Sequence, residues 1–190
     1  MKPREALRRA HSRRARGGAS PGCHWAVVWS PDGTKIIFNS LRDGNWEIYI
    51  MDREGGNLTR LTNNEADDTS PAWSPDGATV VFEKKRLDGQ ATDLFLMPAL
   101  GGEARKIIEN ASDPAWSSDG KWIAFADAST GWPRIAKVAP DDPGNLVPVT
   151  EPEEGFFHRR PCWSRNGREI FFSRSAGGIS GQLCRVPSRG

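Results

Sequence analysis

With 190 residues, 37% apolar side chains, eight Trp and eight Phe, the chain has material for one sizeable buried core and is too hydrophobic for a disordered protein. Its net charge of +2 hides an asymmetry: residues 1–20 carry +6, so residues 21–190 carry −4, which excludes a uniformly basic nucleic-acid binder. Cys23, Cys162 and Cys184 are odd in number and irregularly spaced, which fits neither a disulfide framework nor a zinc site and predicts packing residues. No apolar run approaches the length of a transmembrane helix, so no membrane insertion is expected.

The first 22 residues read as a basic disordered extension. Their arginines could release counterions from phosphates, but no aromatic residues are interleaved with them, and nucleic-acid binding is not expected. A twin-arginine pair, Arg13-Arg14, and the lipoprotein-like Ser20 to Cys23 both lack the apolar segment that an export signal needs.

Beyond the head the chain repeats itself. WSPDGTKIIF begins at Trp29, WSPDGATVVF at Trp73, WSSDGKWIAF at Trp116 and WSRNGREIFF at Trp163, at spacings of 44, 43 and 47 residues. In each copy the glycine follows the tryptophan by four residues, giving Gly33, Gly77, Gly120 and Gly167. A Ser-Pro-Asp-Gly run predicts a tight turn between two strands: proline presets φ, aspartate bonds the local backbone, and glycine accepts a positive φ. The short apolar runs that follow, Ile36 to Phe38, Val80 to Phe82, Ile123 to Phe125 and Ile170 to Phe172, predict buried second strands. Third strands are predicted at Ile48 to Met51, Leu94 to Met97, Ile135 to Val138 and Leu183 to Val186. Fourth strands are predicted at Arg60 to Thr62, Lys106 to Ile108 and Pro148 to Thr150. Four strands per repeat define an all-β fold, a β-propeller of four-stranded antiparallel blades, with blades at 25–64, 69–109, 112–151 and 159–190 inside a domain of 23–190. The fourth blade stops before its outer strand. A lone sheet of this kind cannot bury both faces, so blades stack, and the four tryptophans are expected at the contacts as structural residues.

Trp29 through Gly77, WSPDGTKIIFNSLRDGNWEIYIMDREGGNLTRLTNNEADDTSPAWSPDG, resembles the TolB-type β-propeller repeat, and the likeness covers residues 25 to 190. The resemblance implies a non-catalytic binding scaffold for a protein or peptide, in an envelope, periplasmic or exported setting. The alternative it implies is the propeller portion of a prolyl-oligopeptidase-like or tricorn-like serine peptidase, whose catalytic domain lies outside this chain. TolB itself is similar in having six blades, so four copies point to a partial propeller, a fragment or an open arc able to self-associate through its edges.

The residues themselves show no catalytic constellation. His11 and His24 fall in or beside the head and His158 in a loop, and Gly178-Ile179-Ser180-Gly181 is not a nucleophile elbow. No phosphate loop or metalloprotease motif is present, so no cofactor is expected. The informative carboxylates lie in the connections between blades, which gather on one rim: Glu65, Asp67, Asp68, Asp113, Glu153 and Glu154, joined by Asp43 and Asp88 from hairpins. This negative rim, with His158 and Arg159 in a mixed neighbouring patch, is the expected site for a basic peptide or cationic protein surface. Oxygens at Asp43, Asp67 and Asp68 suit calcium, although no ordered ligand loop is visible.

Overall fold

The computed structural model describes residues 26–177 and 181–188. The basic head, with His11, Cys23 and His24, and the string Gly178-Ile179-Ser180 lie outside the described residues. The rest is all β, arranged as four antiparallel sheets in chain order.

Sheet one comprises β1 (Val27–Trp29), β2 (Lys35–Ser40), β3 (Glu47–Asp52) and β4 (Thr59–Arg60). Sheet two comprises β5 (Asp68–Trp73), β6 (Thr79–Lys85), β7 (Thr92–Pro98) and β8 (Arg105–Ile108). Sheet three comprises β9 (Ala111–Trp116), β10 (Ile123–Asp127), β11 (Arg134–Ala139) and β12 (Asp142–Pro148), and sheet four β13 (Phe157–Trp163), β14 (Glu169–Ser175) and β15 (Gln182–Pro187). The principal contacts between sheets run one to two, two to three and three to four, which makes an arc of blades.

The repeated turn forms for the reason its chemistry suggests. Ser30, Ser74 and Ser117 donate their hydroxyls to Asp32, Asp76 and Asp119 at 2.6, 2.5 and 2.6 Å, and Ser164 donates to Asn166 at 2.8 Å. The same acidic or amide oxygen accepts the N–H of Thr34, Ala78, Lys121 or Arg168. The turn closes with the N–H of Gly33, Gly77, Gly120 or Gly167 donating to the serine carbonyl, and all four glycines have φ between +68° and +72°, a backbone that costs other residues strain.

Alternation along the second and third strands then divides the core. Ile37, Ile48 and Ile50 of sheet one pack with Trp73, Val80 and Phe82 of sheet two. On the other side of sheet two, Val81, Leu94 and Leu96 meet Ile123, Phe125 and Ala136 of sheet three. Ala124 and Ile135 then meet Ile170 and Phe172 of sheet four. Each such Val, Leu, Ile or Phe side chain contributes about 2 kcal/mol on burial.

The structure corrects several expectations. The outer strand of sheet three is Asp142–Pro148, not Pro148 to Thr150, because the N–H groups of Val149 and Thr150 both turn to the single carbonyl of Ile135 and end the regular pairing. Leu61 and Thr62 do the same to Ile48, so β4 stops at Arg60. Cys162 is exposed on β13, not packed, while Cys184 on β15 lies against the core, and both are free thiols.

Candidate functional site

Two kinds of segment meet at one rim of the arc: the hairpins between second and third strands, and the connections from one blade to the next. Asn45 of the first hairpin donates to the carbonyls of Asn64 and Ala66 in the first connection, at 2.8 and 2.6 Å, and Trp46 N donates to Asp67 Oδ1 at 3.0 Å. Backbone bonds also join hairpins to connections, from Ala128 N to Asn110 O and from His158 N to Pro133 O. The Trp-Ser-x-Asp/Asn-Gly turns lie at the opposite rim, since antiparallel strands place alternate turns at opposite ends of the blade.

On the hairpin rim Asp43, Glu65, Asp88, Glu154 and Arg159 are exposed. Beside them the hairpins present apolar side chains: Leu41 is 46% exposed, Leu87 73% and Trp132 36%. Trp132 makes an edge contact with Phe157, 5.6 Å between centroids, which fixes its ring. Asp43 is anchored by the Tyr49 hydroxyl, which donates to it at 2.5 Å; burial and the Asp43 charge push that phenol up to about 12. The rim is therefore a mixed surface of acidic groups around apolar projections.

Not every acidic residue expected on the rim faces solvent. Asp68 is fully buried at the start of β5, where Asn64 donates to it at 2.7 Å, and burial pushes its carboxyl up to about 6. Asp113 lies within β9 and not in a connection, with φ +55° at a bulge preceding Pro114. Its N–H donates to Glu83 at 2.6 Å and its carboxylate accepts the Arg160 N–H at 3.3 Å. Ser70 and Arg160 hold the same left-handed backbone before Pro71 and Pro161, so the inner strand of three successive blades is bent at one level. Arg174 donates from Nε and Nη2 to the two carboxylate oxygens of Glu153. His158 is not in a loop but on β13, buried, its Nδ1 sharing a hydrogen bond of 3.0 Å with Thr150 Oγ1, and desolvation lowers its pKa.

A second buried acid, Glu47, escaped the sequence reading. Burial disfavours its charge, but hydrogen bonds to Asn64 N, Arg60 and Asn45 hold its pKa below the usual range. Glu47 and Asp68 thus brace the connection from beneath, sharing Asn64 as donor. Among the described residues no three His, Cys, Asp or Glu side chains converge in ligating geometry. No helix of the described residues is long and apolar enough to cross a membrane.

The family model described as the TolB beta propeller domain matches residues 6–190. The chain belongs to the TolB beta propeller domain family. Among curated relatives this TolB-type propeller is 36% identical over 153 residues to the uncharacterized peptidase YuxL of Bacillus subtilis, covering 58% of this chain and 23% of that protein. It is 26% identical over 157 residues to the Tol-Pal system protein TolB of Francisella tularensis, covering 80% of this chain and 35% of that protein. The solved structure of TolB from Acinetobacter baumannii superposes with a TM-score of 0.71 at 21% identity, covering 84% of this chain and 40% of that one. The TolB-type propeller described here therefore spans about a quarter to a third of the length of these curated relatives.

Proposed function

We propose that this propeller is a non-catalytic protein-interaction module whose hairpin rim receives a partner carrying basic and apolar side chains. The observation that supports it is the joint exposure of Leu41, Leu87 and Trp132 among Asp43, Glu65, Asp88 and Glu154. Apolar projections give contact area, and the surrounding charges steer a cationic surface and fix its orientation. Asp68 and His158 act behind this surface, positioning the connections, while Arg159 stands at its edge. The reading carries with it a periplasmic or exported location, in keeping with the likeness to TolB.

Selection of peptides on the immobilised chain tests it. Enriched sequences should combine Lys or Arg with an aromatic or branched aliphatic residue. They should lose affinity about tenfold with Asp43→Asn, Glu65→Gln, Asp88→Asn and Glu154→Gln combined, more steeply at low salt. Peptides that bind this variant equally well would remove the rim from consideration.

The 36% identity to a peptidase of Bacillus subtilis favours a second reading, in which the propeller accompanies a serine-peptidase domain elsewhere in the same polypeptide. A reading frame continuing past Gly190 into a Gly-x-Ser-x-Gly strand-turn-helix would support it; further Trp-Ser-Pro-Asp-Gly copies there would support the interaction module.

A further inference from the structure

The three seams between blades are built to one plan, and one of them is left open. At the first and third seams the incoming tryptophan donates its indole N–H to the backbone carbonyl just before the preceding tryptophan: Trp73 to Val28 O at 3.3 Å and Trp163 to Ala115 O at 3.0 Å. At the middle seam Trp116 Nε1 is buried without a hydrogen-bond partner. A cleft of about 620 Å³ opens at that seam, on the rim of the Trp-Ser-x-Asp/Asn-Gly turns and therefore opposite the hairpins.

The sequence explains why it opens there. Six residues after each tryptophan stand Lys35, Thr79, Trp122 and Glu169, and in the first three blades this side chain points into the seam that follows. In the first seam Lys35 occupies the place, its aliphatic stem ending in an ion pair with Asp52 at 2.9 Å. In the third seam the Trp122 indole fills it, with the Lys137 ammonium 4.6 Å from the ring centroid. In the middle seam the residue is Thr79, whose small side chain leaves the space empty.

The walls define what fits. Leu96 and Trp116 offer an apolar, aromatic floor, and Asp76, Asp119 and Asp141 place three carboxylates around the mouth. Hydrogen bonds from Ser74 and Ser117 keep Asp76 and Asp119 ionised to lower pH than usual. The one cation in the wall, Arg105, is turned to the Pro140 carbonyl at 2.7 Å. The site therefore asks for an alkyl stem ending in a positive charge, and Lys35 shows the same occupant supplied from within the chain one seam away.

We propose that the middle seam is a second binding site, which takes a lysine or arginine side chain of an extended basic peptide. The stem lies on Leu96 and the Trp116 ring, where a cation also gains from the indole face, and the charged head meets the three aspartates.

Fluorescence anisotropy with labelled Gly-Ser nonapeptides carrying two arginines, two lysines or two citrullines tests the assignment. The arginine and lysine peptides should bind, and the citrulline peptide should bind at least about tenfold more weakly. Asp76→Asn with Asp119→Asn should cost a similar factor while preserving the turns, because Asn166 already makes the same hydrogen bonds in the fourth copy. Thr79→Lys should fill the cleft as Lys35 fills the first seam and abolish binding with unchanged near-ultraviolet circular dichroism. Glu54→Gln, an exposed acid in the turn after β3 that lines neither the cleft nor the hairpin rim, should leave affinity unaltered. Equal binding of the citrulline peptide, retained affinity in Thr79→Lys, or an equal loss of affinity in Glu54→Gln would each overturn the proposal.

Discussion

Two side chains five residues ahead of a tryptophan, Asp68 and His158, occupy the same position in their repeats, and both are buried where a connection enters the next blade. Burial raises Asp68 from an ordinary 3.8 to about 6, so the folded state holds a proton that the unfolded chain has already released. Its contribution is complete below pH 3.8 and is lost as pH rises to about 6, on the order of 3 kcal/mol. We therefore predict that Asp68→Asn, whose amide oxygen can still accept from Asn64, melts a few degrees above the native protein at pH 7.5 and at nearly the same temperature at pH 4. His158 has the opposite sign. Desolvation lowers its pKa, so its stabilising contribution is full above pH 6.5 and declines as the pH falls below that value. Thermal melts of His158→Asn between pH 5 and 8 should show a weaker acid-side loss of stability than the native chain, and an unchanged acid limb would refute the assignment.

The blade-level plan was legible because its determinants are local. The Ser-to-Asp and Asp-to-backbone bonds of each turn span two residues, and the alternation of Ile37, Phe38 and their counterparts is set within a single strand. What the sequence did not disclose depends on distant partners. Asp68 and Glu47 lie 21 positions apart and share Asn64 as donor, so a run of acids expected on the binding rim is partly structural. The sequence places Asp113 in a connection between blades; the bulge of β9 instead holds Asp113 and Pro114 inside a strand. The identical W-S motif likewise gave no hint that Trp116 lacks the bond that Trp73 and Trp163 make. That difference predicts an ordered series. Trp73→Phe and Trp163→Phe forfeit a hydrogen bond worth about 1 kcal/mol, whereas Trp116→Phe relieves a buried unsatisfied donor. Urea unfolding should therefore place Trp116→Phe at least about 1 kcal/mol above the other two, and equal losses at all three positions would contradict the unequal seams.

Across the whole molecule stability should follow the number of seams each blade makes. Among the described residues sheets two and three are covered on both faces, whereas sheet four has three strands and one seam, and β15 presents Leu183 at 79% exposure. The backbone N–H groups of Gln182 to Val186 should exchange first and those of β6 and β10 last, as expected when neighbouring units stabilise one another. The account rests on blades joined through their indoles, and hydrogen exchange of the tryptophan side-chain N–H groups, followed by nuclear magnetic resonance, tests this most directly. The Trp73 and Trp163 indole protons should persist in deuterated water for as long as their seams stay closed, while that of Trp29, 39% exposed, disappears at once. Loss of the Trp73 and Trp163 signals as fast as that of Trp29 would contradict the seams.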